Sequence, residues 1–317
     1  MTDLHVRIER YSPENKRRWD EFAARSRQRC FIFQRDYIDY HRERFSDHSL
    51  LAFKDERLIA LLPLEIDGER AFSHRGLTFG GWLTPTGRFD VFDMDHVFEK
   101  LIEYLRTNGV KELIYKRVPT IYSVCGADED AFVLEKLGGK RIKSEITMAI
   151  DLTSPQTMRY DTRQNIKRAT ASGVVIERED CYEEFWRILS ERLEEKYNAH
   201  PVHTLEEIKL LKAAFPKNIH LYTARERGEL AGGVVIYEST ETIKAQYIAT
   251  TRRGRNVGAV AAMIESIIGD YRLTHKYFDL GTSNGNGILG LNEGLIRHKY
   301  GLGGRPVMTD VYRLVIS

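Results

Sequence analysis

Apolar residues recur along the chain in two helical stripes, each embedded in the same series of elements. Val97, Phe98, Leu101, Ile102 and Leu105 follow the i, i+1, i+4, i+5, i+8 spacing of one helical face, and Met263, Ile264, Ile267, Ile268 and Tyr271 repeat it. A short strand pattern follows each stripe, Glu112-Leu113-Ile114-Tyr115 in one case and Tyr277-Phe278-Asp279-Leu280 in the other. Then come Leu137-Gly138-Gly139-Lys140-Arg141 with the alternating run Ile146 to Ile150, and Leu302-Gly303-Gly304-Arg305 with Val311 to Val315. The glycine pairs stand 165 residues apart. Upstream, the turn patterns Asp55-Glu56-Arg57-Leu58 and Arg227-Gly228-Glu229-Leu230 stand 172 apart.

This order predicts a duplicated chain with its boundary after Asp151, near Ser154-Pro155, giving domains 1–151 and 152–317. Each half reads as a helix or two, a three-stranded antiparallel meander, a helix, a strand, a shorter helix and a final strand. The fold class is therefore α/β (α+β), each domain a mixed, mostly antiparallel sheet flanked by helices. In the second half a basic helix is predicted over 156–172, a long helix over 257–272 and a short one over 291–299.

Composition narrows the function classes. The 317 residues are 42% hydrophobic and 30% charged with 8 prolines, which describes a globular protein. The net charge of +2 does not favour nucleic acid as the default partner. Three widely spaced cysteines, Cys30, Cys125 and Cys181, make no CxxC pair. Neither a disulfide framework nor a zinc site is expected, and a cytoplasmic protein fits. There is no signal-peptide pattern and no membrane-spanning run of about 18 apolar residues. His200 and His203 flank a proline without metal-ligand spacing, so no metal is expected. No G-x-S-x-G elbow anchors a serine triad.

Candidate chemistry concentrates in Thr250-Thr251-Arg252-Arg253-Gly254-Arg255-Asn256-Val257-Gly258-Ala259, where a strand gives way to a helix through arginines and glycines. Backbone N–H groups at a helix start favour an anion, glycine admits close approach, and arginine adds charge-assisted hydrogen bonds. The corresponding loop of the first half carries Asp90, Asp93 and Asp95, which would repel a phosphate.

The strand followed by Arg253, Asn256, Gly258 and Ala259 resembles the pyrophosphate-binding turn of the GNAT acyltransferases, with Asn256 where that family usually has glycine. Two such halves, the basic run Arg163 to Ala169 followed by Gly173, and the ending Asn292, Gly294, Lys299, Gly301, Gly303 and Gly304 resemble the FemAB-like branch, which includes acetyltransferases associated with cellulose biosynthesis (CelD-type). The resemblance spans essentially the whole chain. It implies two tandem GNAT-like domains, with the first retaining a degenerate donor site and the second binding the donor and catalysing transfer. It also implies acetyl-CoA or another acyl-CoA as donor. The acceptor would be an amine or hydroxyl of a sugar, nucleotide-sugar, peptide or other cell-envelope or polysaccharide precursor. Two alternatives stand beside it, transfer from aminoacyl-tRNA and a catalytically silent binding protein. The region 181–215 holds two ordinary helices without heptads, which favours acyl-CoA over tRNA.

On this reading Ile248, Ala249, Arg253, Gly254, Arg255, Asn256, Val257, Gly258 and Ala259 hold the donor. The acyl carbonyl lies where the strands 242–249 and 277–280 splay apart. Gln246, Tyr247, Asn284 and Asn292 are candidates for the acceptor side. Gln246 and Tyr247 are expected on opposite strand faces, so that at most one lines the cleft. Asp279 is a candidate base or a turn cap. Lys299 is the side chain expected to steady negative charge during transfer, as a lysine in the corresponding run does in FemAB-like enzymes, with a plain helix-end role as its competitor.

Overall fold

The two apolar stripes are the buried faces of helices Val91–Thr107 and Ala259–Tyr271 in the computed structural model, which describes residues 6–155 and 157–316. In chain order the elements begin β1 (Val6–Arg10), α1 (Lys16–Ala23), α2 (Arg35–Ile38), β2 (Leu50–Lys54), β3 (Arg57–Leu62), β4 (Glu65–Asp67) and β5 (Arg70–Phe72). They continue α3 (Val91–Thr107), β6 (Glu112–Lys116), α4 (Glu129–Lys136), β7 (Lys140–Asp151), α5 (Tyr160–Ala171), β8 (Val174–Arg178), α6 (Tyr182–Tyr197) and α7 (Leu205–Ala214). The remainder is β9 (Ile219–Glu226), β10 (Glu229–Glu238), β11 (Thr242–Thr250), α8 (Arg252–Val257), α9 (Ala259–Tyr271), β12 (Tyr277–Thr282), α10 (Glu293–Gly301) and β13 (Arg305–Val315). Gln156, the predicted start of the basic helix, lies outside the described residues.

Two compact units divide this chain otherwise than at Asp151: the first is the segment to Glu145 together with Met308 onward, the second Ile146–Val307. The reason lies in the strands that close each sheet. In the first unit β13 pairs antiparallel with β6, Val311 opposite Lys116. In the second, the end of β7 pairs antiparallel with β12, Ile150 opposite Phe278. The final strand of each sequence repeat thus serves the unit built mainly from the other repeat.

The first unit has an antiparallel sheet β1-β2-β3, a β4-β5 hairpin, and β5 parallel to β6. Pro63, which has no N–H for a ladder, follows β3 and interrupts the predicted meander. The second unit keeps its meander, β8-β9-β10-β11 all antiparallel, and adds β12 parallel to β11. Val97, Phe98, Leu101 and Leu105 of α3 pack in the first core, and Met263, Ile264, Ile267 and Ile268 of α9 in the second. Each such side chain is worth about 1.5–3 kcal/mol of burial.

The repeat extends to single hydrogen bonds. Gly138 and Gly303 both take left-handed φ, +82° and +96°. Gly139 N–H donates to Leu134 O at 2.8 Å, and Gly304 N–H to Lys299 O at 2.9 Å, closing α4 and α10 alike. The turn residues Asp55 and Arg227 both sit at φ +53°.

Candidate active site

β11 and β12 pair only over Thr242↔Tyr277, Ile243↔Phe278 and Lys244↔Asp279. Beyond that point β11 runs on to Thr250 and β12 to Thr282 without further pairing to each other. A β-bulge contributes to this parting. Val235 of β10 faces Tyr247 while Ile236 faces Ala245, so Gln246 is the extra residue, and a bulge bends its strand. A cavity of about 350 Å³ lies in the second unit at the diverging strands, lined by Ile248, Ala249 and Thr250 of β11 and Leu280 of β12.

Thr251 N–H donates to Ala231 O of β10 at 2.9 Å. Ladder alternation then turns Ala249 toward β10 as well, and aims the N–H groups of Ile248 and Thr250 at the edge β12 has left. The predicted pair was Ile248 and Ala249; the parity of the ladder moves the second donor to Thr250.

The helix predicted over 257–272 is α9, and the segment read as a loop before it holds the short helix α8. Thr251 caps α8, its hydroxyl accepting Gly254 N–H at 3.0 Å. Gly258 then breaks the path at φ +83°, and α9 begins. A Cβ on Gly258 would stand 2.3 Å from Asn165 O of α5, and one on Gly254 2.1 Å from Ala231 O. Both glycines therefore serve close backbone packing. No side chain caps α9, whose first turn is Ala259, Val260 and Ala261; the last two line the cavity. The N–H groups of such a turn have no helical acceptor and carry the positive end of the dipole. The first unit differs in kind. Asp90 accepts the N–H groups of Phe92 and Asp93 at the start of α3, and Lys54 pairs with Asp93 at 2.6 Å.

The predicted arginines separate. Arg255 lines the cavity and donates to Thr250 O at 3.1 Å. Arg253 does not line it and instead pairs with Glu226 at 2.6 Å and Glu229 at 3.2 Å. Asn256 offers its carbonyl to Arg168 at 3.0 Å, and Val257 packs against the second core.

Lys299, on α10, is buried at the cavity wall, where Nζ donates to Gly281 O at 2.9 Å and Thr282 O at 2.6 Å. Burial lowers its pKa to about 8; the nearby Asp279 carboxylate opposes the fall and Lys244 adds to it. Asp279 itself does not line the cavity. It accepts the Thr147 hydroxyl and, at 2.8 Å, Gly281 N–H, which is the work of a turn cap. Asn292 caps α10 by accepting Leu295 N–H at 3.0 Å, and Asn284 bridges to Leu291 through the backbone.

Gln246 and Tyr247 stand at the bulge. Gln246 accepts from Lys244 at 3.1 Å and donates to the Tyr247 hydroxyl. Neither lines the cavity. Tyr247 Oη stands 2.6 Å from His203 Nδ1 and accepts His203 N–H at 3.1 Å, and burial pushes its pKa up to about 12.

Four polar lining residues were not among the sequence candidates: Arg192 and Lys196 of α6, Asn165 of α5 and His298 of α10. For α6 a signal existed, since Leu189, Arg192, Leu193 and Lys196 recur at i, i+3, i+4 and i+7 and all line the cavity. Burial and the charge of Lys299 hold the His298 pKa below its usual value, so the ring is neutral near pH 7. Arginine and lysine supply every charged group of the described lining; no aspartate or glutamate joins them.

Among the described residues no three His, Cys, Asp or Glu side chains are grouped to hold a metal ion, and no helix is long and apolar enough to cross a membrane. Among the described residues Cys30, Cys125 and Cys181 are not joined by disulfides.

Residues 156–287 match the family model described as an acetyltransferase (GNAT) domain. No curated protein matches the sequence. Among solved structures, FemX is similar with a TM-score of 0.69 at 10% identity, covering 95% of this chain and 96% of that one. L-PGS from Bacillus licheniformis gives 0.64 at 12% identity, covering 95% and 91%. A tandem GNAT protein from the clavulanic acid biosynthesis pathway gives 0.55 at 11% identity, covering 99% of both chains. At such identities the likeness is one of fold, that of tandem GNAT-like domains.

Proposed function

We propose that the second unit is an acyltransferase that takes an acyl-CoA donor and passes its acyl group to an amine or hydroxyl of a sugar, nucleotide-sugar or peptide acceptor, while the first unit keeps the fold without a donor site. One observation carries this reading. An apolar cavity edged by cations and free of carboxylates lies where β11 and β12 part, against the uncapped start of α9. The GNAT match over 156–287 covers the elements α5 to β12 that build most of that cavity.

The donor pyrophosphate would rest on the first turn of α9. The thioester carbonyl would enter the gap between the strands, where Ile248 and Thr250 N–H groups face it. The acceptor nitrogen or oxygen attacks the carbonyl carbon, and its proton passes to His298, the neutral base among the described lining groups. The carbon–sulfur bond breaks and the CoA thiolate takes a proton from His298 or from water. Negative charge on the carbonyl oxygen during attack is steadied by the strand N–H groups and by Lys299. Lys299 has two of its three N–H donors held by carbonyls, which aims the third.

Titration calorimetry of the purified protein with acetyl-CoA and with aminoacyl-tRNA tests the reading. It predicts a 1:1 complex with acetyl-CoA. Binding of aminoacyl-tRNA alone would replace the donor, and binding of neither would mean a protein without donor chemistry.

A further inference from the structure

Most arginines of the second unit that lie near its sheet have carboxylate partners: Arg178 with Asp270, Arg225 with Glu179 and Glu184, Arg253 with Glu226 and Glu229. Three arginines at the join of α5 and α8 break that rule. Arg168, Arg252 and Arg255 are exposed, and among the described residues none of them has an acidic partner. Their grouping follows from two contacts. Arg168 reaches across to Asn256 O at 3.0 Å, and Asn165, one turn earlier on α5, lies against Gly258. Residues 252, 255 and 256 share one face of α8, while Arg253 points off it toward Glu226. Of the three, Arg255 also lines the cavity, so the group stands at its rim.

Three unneutralised guanidinium groups on packed helices form a receptor for a doubly charged oxyanion. With the pyrophosphate on α9, the next anion along an acyl-CoA molecule is the phosphomonoester on the ribose 3′ position. We infer that Arg168, Arg252 and Arg255 form a subsite for that 3′-phosphate, so that α5, which stands outside the diverging strands, selects the phosphorylated form of the carrier. The inference rests on the acyl-CoA reading above.

The test compares acetyl-CoA with acetyl-3′-dephospho-CoA by titration calorimetry, on the native protein and on the double variant Arg168→Gln, Arg252→Gln, with Arg253→Gln as control. The subsite predicts roughly tenfold or greater preference for acetyl-CoA in the native protein, one strong charge-assisted contact being worth about that much. The preference should vanish in the double variant, whose affinity for the dephospho form stays unchanged, and survive in the control. Equal binding of the two donors by the native protein overturns the subsite and leaves the acyl-CoA reading standing. So does a preference that persists in the double variant. If neither donor binds, both inferences fall. If the double variant loses aminoacyl-tRNA binding while acetyl-CoA discrimination is unaffected, the arginines serve an RNA backbone and the 3′-phosphate assignment is wrong.

Discussion

Lys299 shows how far a single residue can be read. Its place in the run from Asn292 to Gly304 marked it, but a lysine near a helix end has an ordinary role as well. In the structure Nζ is buried at the cavity and bonded to Gly281 and Thr282 carbonyls of β12. Nothing in the local sequence showed those partners, which come from a turn 17 and 18 residues earlier. Asp279 ran the other way: a strand carboxylate with catalytic promise is a cap for Gly281. If the Lys299 ammonium steadies an oxyanion, Lys299→Met lowers kcat about 10²-fold or more with little change in donor affinity. The native rate then falls as pH rises through about 8, where the ammonium is lost. Stability carries a separate signature. The folded-state pKa lies below the ordinary lysine value, so between about pH 8 and 10.5 the unfolded chain binds more protons, and stability rises with pH over that window. The rise is on the order of 3 kcal/mol and is absent in Lys299→Met, a comparison that denaturant melts at pH 7.5 and 10 make directly. Equal pH dependence in both proteins contradicts the burial of that charge.

Elements were legible where one period dominated. The stripe at Met263–Tyr271 predicted α9, and the paired glycines that marked the repeat stand at the ends of α4 and α10. The short helix α8 was not legible, since Gly254 and Gly258 read as phosphate-loop glycines. Their spacing is that of such a loop, but the contacts they relieve are with Ala231 and Asn165 backbone. The bulge at Gln246 was equally hidden, because an alternating pattern does not announce an inserted residue. The helix break can be tested. Gly258→Ala places a Cβ 2.3 Å from Asn165 O on a backbone at φ +83°. It should cost about 1–3 kcal/mol in strain, more if α5 must shift, and weaken donor binding because α5 and α9 form walls of the cavity. Ala at the neighbouring Gly269, where a Cβ meets nothing within 4 Å, is the control and should be neutral or mildly stabilising. A Gly258→Ala protein as stable as the native one would show that the close approach of α5 is unimportant.

At the scale of the molecule, duplication was the most readable feature, because matched turns, helix stripes, glycine pairs and strand starts recur in the same order at offsets of 165 to 172. The assignment of closing strands was not readable. Ile146–Ile150 and Val311–Val315 have the same alternating pattern, and a strand pattern carries no address for its partner. The two units nonetheless diverge where chemistry would be expected. The helix following the diverging strands is open in the second, whereas Asp90 and Lys54-paired Asp93 close the equivalent start in the first. The central claim is that an acyl-CoA donor lies along β11 and the start of α9. Amide hydrogen exchange with and without saturating acetyl-CoA tests it most directly. Bound donor slows exchange in peptides covering 248–261 and 295–302 and leaves the 90–107 region of the first unit unchanged. Protection at the start of α3, or none over 248–261 while acetyl-CoA is bound, would contradict it.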